Sequence, residues 1–143
     1  GEIVAAAQRE AGWRAVLAEV GIEAPPVLRG DWSSASGHRA GVELATDREV
    51  RAVFAANDQM ALGLMRAFAD HGRGIPDDVC VVGFDDVPEA ANFRPPLTSV
   101  RQDFDRLGAR AVSALVDAFS GAAPVVDVTP TTLVIRDSTA RMS

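Results

Sequence analysis

The chain has 143 residues and 15.0 kDa, 48% of them hydrophobic, which is enough for one domain with a sizeable core. Fourteen basic against twenty acidic side chains give a net charge of −6, so the surface repels phosphate backbones and this piece alone is a poor nucleic-acid binder. One cysteine and two histidines exclude a disulfide framework and a structural zinc site, and no apolar run approaches the ~20 residues of a membrane span, so no metal, cofactor, membrane or signal peptide is expected.

Trp13, Val16, Leu17 and Val20 recur at helical spacing before Gly21, so residues 3–20 read as a helix with Trp13 in the core. Pro25 and Pro26 break the pattern ahead of Val27-Leu28-Arg29, a short strand candidate, after which Ser33 or Ser34 caps a helix to about Ala45. A second strand is expected at residues 51–55, and Asn57-Asp58 then opens a helix whose apolar face carries Met60, Ala61, Leu64, Met65 and Phe68 and which Gly72 ends.

Residues 75–78 turn into Val79-Cys80-Val81-Val82-Gly83, an apolar run without alternation, as in a strand of a parallel sheet covered on both faces. A helical turn from Pro88 to Ala91 follows, then Pro95-Pro96 force Leu97 to Arg101 into an extended form. Phe104, Leu107, Ala111, Leu115 and Phe119 mark a last helix, and residues 125–128 and 131–135 close the chain as extended segments. The alternation predicts an α/β fold with an open, mostly parallel sheet flanked by helices.

In such a sheet ligands bind beyond the carboxyl ends of the strands. Those ends carry Asp31, Trp32 and Ser33, then Asn57 and Asp58, then Asp85 and Asp86. Carboxylates and amides engage neighbouring hydroxyls and a flat indole covers a sugar ring, so the set suits a polyhydroxylated ligand. The structural alternative makes Asp58 and Asp86 helix caps and packs Trp32 on a loop. Adjacent Asp85 and Asp86 diverge too much for a shared-proton dyad. His38 and His71 have no nucleophile elbow beside them, no glycine-rich phosphate loop exists, and Cys80 is a small buried hydrophobe.

Five strings occur in one order: Arg9-x-x-Gly12-Trp13, Gly30-Asp31-Trp32-Ser33-x-x-Ser36-Gly37, residues 56–63 from Ala56-Asn57-Asp58-Gln59 to Gly63, Val81-Val82-Gly83-Phe84-Asp85-Asp86, and residues 95–104 from Pro95-Pro96-Leu97-Thr98 to Phe104. Together they resemble the lactose/galactose-repressor family of transcription regulators. The resemblance implies a periplasmic-binding-protein-like (type I) effector core of two lobes joined by crossover strands. It also implies a cytoplasmic homodimer that binds operator DNA through an N-terminal helix-turn-helix, which this chain lacks.

By matching strings, effector contacts fall on Arg9, Trp32, Asn57, Asp85, Gln102 and Phe104, with Trp32 stacking, and dimer contacts on Leu62, Arg66 and Phe93. Residues 1–101 would form the C-terminal lobe without its first strand, 102–124 the helix of the other lobe, and 125–143 the return. On this reading the chain is an incomplete fragment, and a sheet lacking an inner strand would be completed by another chain, by a further segment or by aggregation.

The function expected is a non-catalytic sensor of a small effector, most simply a sugar, with a nucleobase corepressor as the alternative ligand. A solute-binding protein of a sugar transporter shares the fold and cleft. A hydrolase using Asp85 or Asp86 lacks both an activated nucleophile and a spaced carboxylate pair.

Overall fold

The computed structural model describes residues 2–121, 123 and 128–139. Helix α1 spans Glu2–Glu19, α2 Ser34–Thr46, α3 Asp58–Asp70 and α4 Phe104–Phe119, with a 3₁₀ turn at Pro88–Asn92. Strands β1 (Ala52–Phe54), β2 (Cys80–Asp85), β3 (Thr98–Arg101) and β4 (Thr132–Val134) form one sheet in that order. The first two pairings are parallel and β3–β4 is antiparallel, so the sheet is open and mostly parallel, as the alternation predicts.

Two elements differ from expectation. Val27-Leu28-Arg29 joins no ladder: no described strand pairs with it, and Arg29 is held by its side chain on Glu10 at 2.7 Å. Trp13 is half-buried under the Arg14 guanidinium instead of in the core, and Val16 and Val20 are exposed, because α1 is not packed into the sheet along that face. The extended segment expected at 125–128 lies, in its residues 125–127, outside the described residues.

The core sits between α3 and the sheet, where Leu64, Met65, Phe68, Val79, Val81 and Leu97 are buried. Helix α2 seals α3 from outside, backbone against backbone: a Cβ on Gly37 would lie 2.0 Å from the Met60 carbonyl, and one on Gly63 1.8 Å from that of Ser34. At the end of α3, Gly72 takes φ +65° and lets the Arg73 amide reach the Phe68 carbonyl at 2.9 Å. The Arg73 side chain is buried and donates to the carbonyls of Leu44, Asp47, Val50 and Asp78, placing a cation at the carbonyl end of α2.

The amino ends of β2 and β3 are fastened by the return segment. Ser138 is buried. Its Oγ accepts from the Thr98 amide at 2.8 Å and donates to the Val81 carbonyl at 2.6 Å, bridging β2 and β3, while its amide donates to Pro96. This leaves the carboxyl ends of β1 and β2 open.

Candidate functional site

The site is built on the two strand ends that meet α3. Asn57 caps that helix: its Oδ1 accepts from the Met60 amide at 2.9 Å, and its Nδ2 donates to the Trp32 carbonyl at 3.1 Å. The expectation that Asp58 caps the helix is therefore corrected by one position. Asp58 is wholly buried, its carboxylate accepting from Ser99 Oγ at 2.6 Å and the Val87 amide at 2.8 Å. Gly83 makes this possible, since a Cβ there would lie 2.2 Å from Asp58 Oδ1. Burial pushes the Asp58 carboxyl up, reinforced by the charges of Asp85 and Asp86 and opposed by the Ser99 and Val87 hydrogen bonds.

Asp86 is not a cap either. Its side chain is only 2% exposed and accepts from Arg101 Nε and Arg136 Nη1, each at 2.6 Å, joining the end of β2 to both segments that lead away from the sheet. Burial raises this carboxyl, but the hydrogen bonds and charges of Arg136 and Arg101 outweigh it and hold the pKa below the usual carboxylate range. Asp85 points elsewhere, accepting from Gln102 Nε2 at 2.8 Å, so the two carboxylates share no partner.

Trp32, Asp85 and Asp86 have φ of +69°, +105° and +54°. Side chains at such angles cost about 1–3 kcal/mol each and persist only where the surroundings hold them. The holders are the Asn57 amide on the Trp32 carbonyl, and Ser99 Oγ, which accepts from the Asp86 amide at 3.1 Å while donating to Asp58. The Asp31 carboxyl below Trp32 is held well under its usual range, first by the Ser33 hydroxyl and then by Ser36.

These restraints turn Arg9, Trp32, Asn57 and Asp85, with Ala5, onto one hollow of about 200 Å³. Arg9 reaches it from α1, donating Nη1 to the Ala56 carbonyl at 2.9 Å, with its guanidinium 3.9 Å from the Phe84 ring centroid and 5.7 Å from that of Trp32. Gln102 adjoins through Asp85 and also borders a second hollow with Asp103, Leu107 and residues 128–131. Phe104 lines neither: it is 52% exposed at the start of α4.

On the far side of α3, Leu62 is 40% exposed and Arg66, one turn on, is paired with Asp70, while Phe93 is half-buried against the core. Phe84 is the neighbour that sequence reasoning missed; its signal was the two-residue period that sets it opposite Gly83.

The first hollow offers a guanidinium fork, an amide, a carboxylate and an indole, donors and acceptors for hydroxyl groups around a flat apolar face. Its volume lies below the roughly 300–1,000 Å³ of sites that enclose a small molecule, so a ligand held here needs a second wall. His38 faces Asp70 and His71 Nδ1 meets the Ala67 carbonyl, so neither activates a hydroxyl, and no described cluster of His, Cys, Asp and Glu is arranged to hold a metal. Among the described residues no helix is long and apolar enough to cross a membrane.

The periplasmic binding protein-like domain family matches residues 3–139. The lactose operon repressor of Klebsiella pneumoniae is 42% identical over 139 residues, covering 94% of this chain and 39% of that protein. The HTH-type transcriptional repressor PurR of Pasteurella multocida (strain Pm70) is 35% identical over 136 residues, covering 91% and 40%.

Among solved structures, the lac repressor dimer bound to operator and the anti-inducer ONPF superposes with a TM-score of 0.89 at 38% identity, covering 95% of this chain and 42% of that one. The CelR–cellobiose complex gives 0.87 at 39%, covering 92% and 42%. The chain thus spans 39–42% of the length of these proteins. With alternating strands and helices, a polar hollow at the strand ends and this match along almost its whole length, the chain belongs to the periplasmic binding protein-like domain family, in the group of the lactose repressors, CelR and PurR.

Proposed function

We propose that this chain is one wall of the effector-binding core of a transcriptional regulator, and that the effector is a small sugar gripped without being transformed. The observation that carries the reading is the convergence of Arg9, Trp32, Asn57 and Asp85 on one hollow too small to enclose a ligand alone. Asp85 and the free edge of Arg9 bind hydroxyls, Trp32 covers a ring face, and Gln102, now on Asp85, exchanges that bond for one to the ligand.

The opposite wall is a second lobe, to which α4 belongs and toward which residues 102–103 lead. Its closure over the sugar shifts the geometry of a dimer formed through Leu62, Arg66 and Phe93. That dimer acts in the cytoplasm on operator DNA through a domain outside this chain. Phe104 meets the ligand only when the second lobe closes. The reading includes no catalysis, because the site pairs no nucleophile with a base. Relatives support it: CelR is seen with cellobiose, and the lac repressor dimer with operator.

Isothermal titration of the full-length protein against a panel including cellobiose and lactose tests it. Binding of one sugar is expected, and Asp85→Ala should weaken it by about 2–4 kcal/mol with operator affinity nearly unchanged. Binding of purine bases with no sugar bound would replace the sugar by a nucleobase corepressor.

A further inference from the structure

We propose that Phe84 is a positioning residue of this site, its ring holding the Arg9 guanidinium flat so that the edge not bonded to Ala56 faces the hollow. The inference deepens the proposed function and rests on it for the ligand, though not for the geometry. Strand alternation sets the contact. Gly83 turns toward α3, where Asp58 fills the space its missing side chain leaves, so Phe84 turns to the opposite face, toward α1.

There the Arg9 Cζ stands 3.9 Å from the Phe84 centroid, within stacking contact, while its 5.7 Å to Trp32 is near the ~6 Å limit of a cation–π contact. Phe84 is therefore the ring on which Arg9 rests. The Nη1 bond to Ala56 fixes one nitrogen but leaves the plane free to turn about that bond. A flat ring beneath the plane removes the remaining freedom.

Among the described residues Nη1 alone of the Arg9 nitrogens has a hydrogen-bond partner. Nε and Nη2 thus present two parallel N–H donors, a fork that matches two neighbouring ligand oxygens. Ordering a long arginine side chain at the moment of binding weakens affinity, and a side chain already ordered avoids that loss. Phe84 therefore acts through Arg9 without touching the ligand.

The test uses the full-length protein with Phe84→Leu, Phe84→Tyr, Arg9→Met and the double variant that combines Arg9→Met with Phe84→Leu. The first readout needs no ligand: the NMR signal of the Arg9 Nε proton is expected upfield by ring current in the wild type and in Phe84→Tyr, and released in Phe84→Leu. An unshifted Arg9 signal in the wild type overturns the proposal by itself, whatever the variants do.

The second readout is titration with cellobiose as the probe, or the sugar of the panel that binds. Phe84→Leu is expected to weaken binding about three- to tenfold and Phe84→Tyr less than about twofold. In the Arg9→Met background, Phe84→Leu should add nothing. Equal weakening in both backgrounds would make Phe84 a ligand contact or a packing residue and would end the proposal. If no sugar binds the wild type, the sugar reading fails, and the ring-current result still decides where Phe84 puts Arg9.

Discussion

Helices α3 and α4 carry similar apolar periodicity but have opposite environments. On α3, Ala61, Leu64, Met65, Ala67 and Phe68 are buried between α2 and the sheet. On α4, Leu107, Leu115, Val116 and Phe119 follow the same spacing, yet no residue of the helix is buried. Periodicity marks the face that gains from being covered, because removing apolar area from water stabilises whichever surface does the covering. It does not say what the cover is. For α3 the cover is in this chain, down to glycines that let α2 approach. For α4 it is not among the described residues.

The contrast breaks most sharply at two phenylalanines, Phe68 fully buried and Phe119 86% exposed. Phe68→Ala removes a ring from the packed side and leaves a cavity, so it should cost about 3–5 kcal/mol, read as a shift of the urea unfolding midpoint. A cost under about 1 kcal/mol would mean that the α2–α3–sheet sandwich is loose and that the two helices differ less than their burial implies.

Next in size is the ion-pair node that ties the packed body to the segments leading away from it. Asp86→Asn leaves Arg136 without its carboxylate. It should cost about 2–3 kcal/mol, less than the 3–5 of a fully buried pair because Arg101 is exposed and screened.

Acid sharpens the point, since the two buried carboxylates respond in opposite senses. Asp86 has a folded pKa below its unfolded value, so the unfolded chain takes up the proton first and this stabilisation fades as pH falls below about 4. Asp58, raised by burial, takes up its proton first in the folded chain. Its contribution is fully present below about pH 4 and declines as pH rises through the folded value. In denaturation series across acid pH, Asp86→Asn should flatten the loss of stability and Asp58→Asn should steepen it. Equal slopes in both variants would remove the assignment.

The order of elements was legible in the sequence because each strand–helix unit is bounded by prolines, glycines and caps that act locally. The polar ends of β1 and β2 were legible for the same reason: Asn57 and Asp85 each follow an apolar run directly. Partnership across the fold was less so. Asp58 read as a cap, since a carboxylate beside a helix start most often is one, and for Asp86 capping and ligand binding stood level. What redirects them is distant in sequence: Gly83 leaving room for Asp58, and Arg101 and Arg136 arriving from other segments onto Asp86.

Arg9 entered through the family strings alone, because nothing in a helix pattern tells an arginine that reaches a strand end from one in water. Val27 to Arg29 read as a strand because composition registers β propensity and not the presence of a neighbour to pair with.

The smallest effect belongs to the other side of the comparison. In the 143-residue chain Phe119→Ala should change stability by less than about 0.5 kcal/mol, since an exposed ring makes few contacts to lose. The same substitution in the full-length protein separates the two meanings of an exposed apolar face. If α4 docks into a second lobe, the cost there should rise toward that of Phe68→Ala, and Leu115→Ala should rise with it. If both stay near zero in the longer protein, α4 is a free amphipathic arm, and the two-lobed core loses the element that is meant to join its halves.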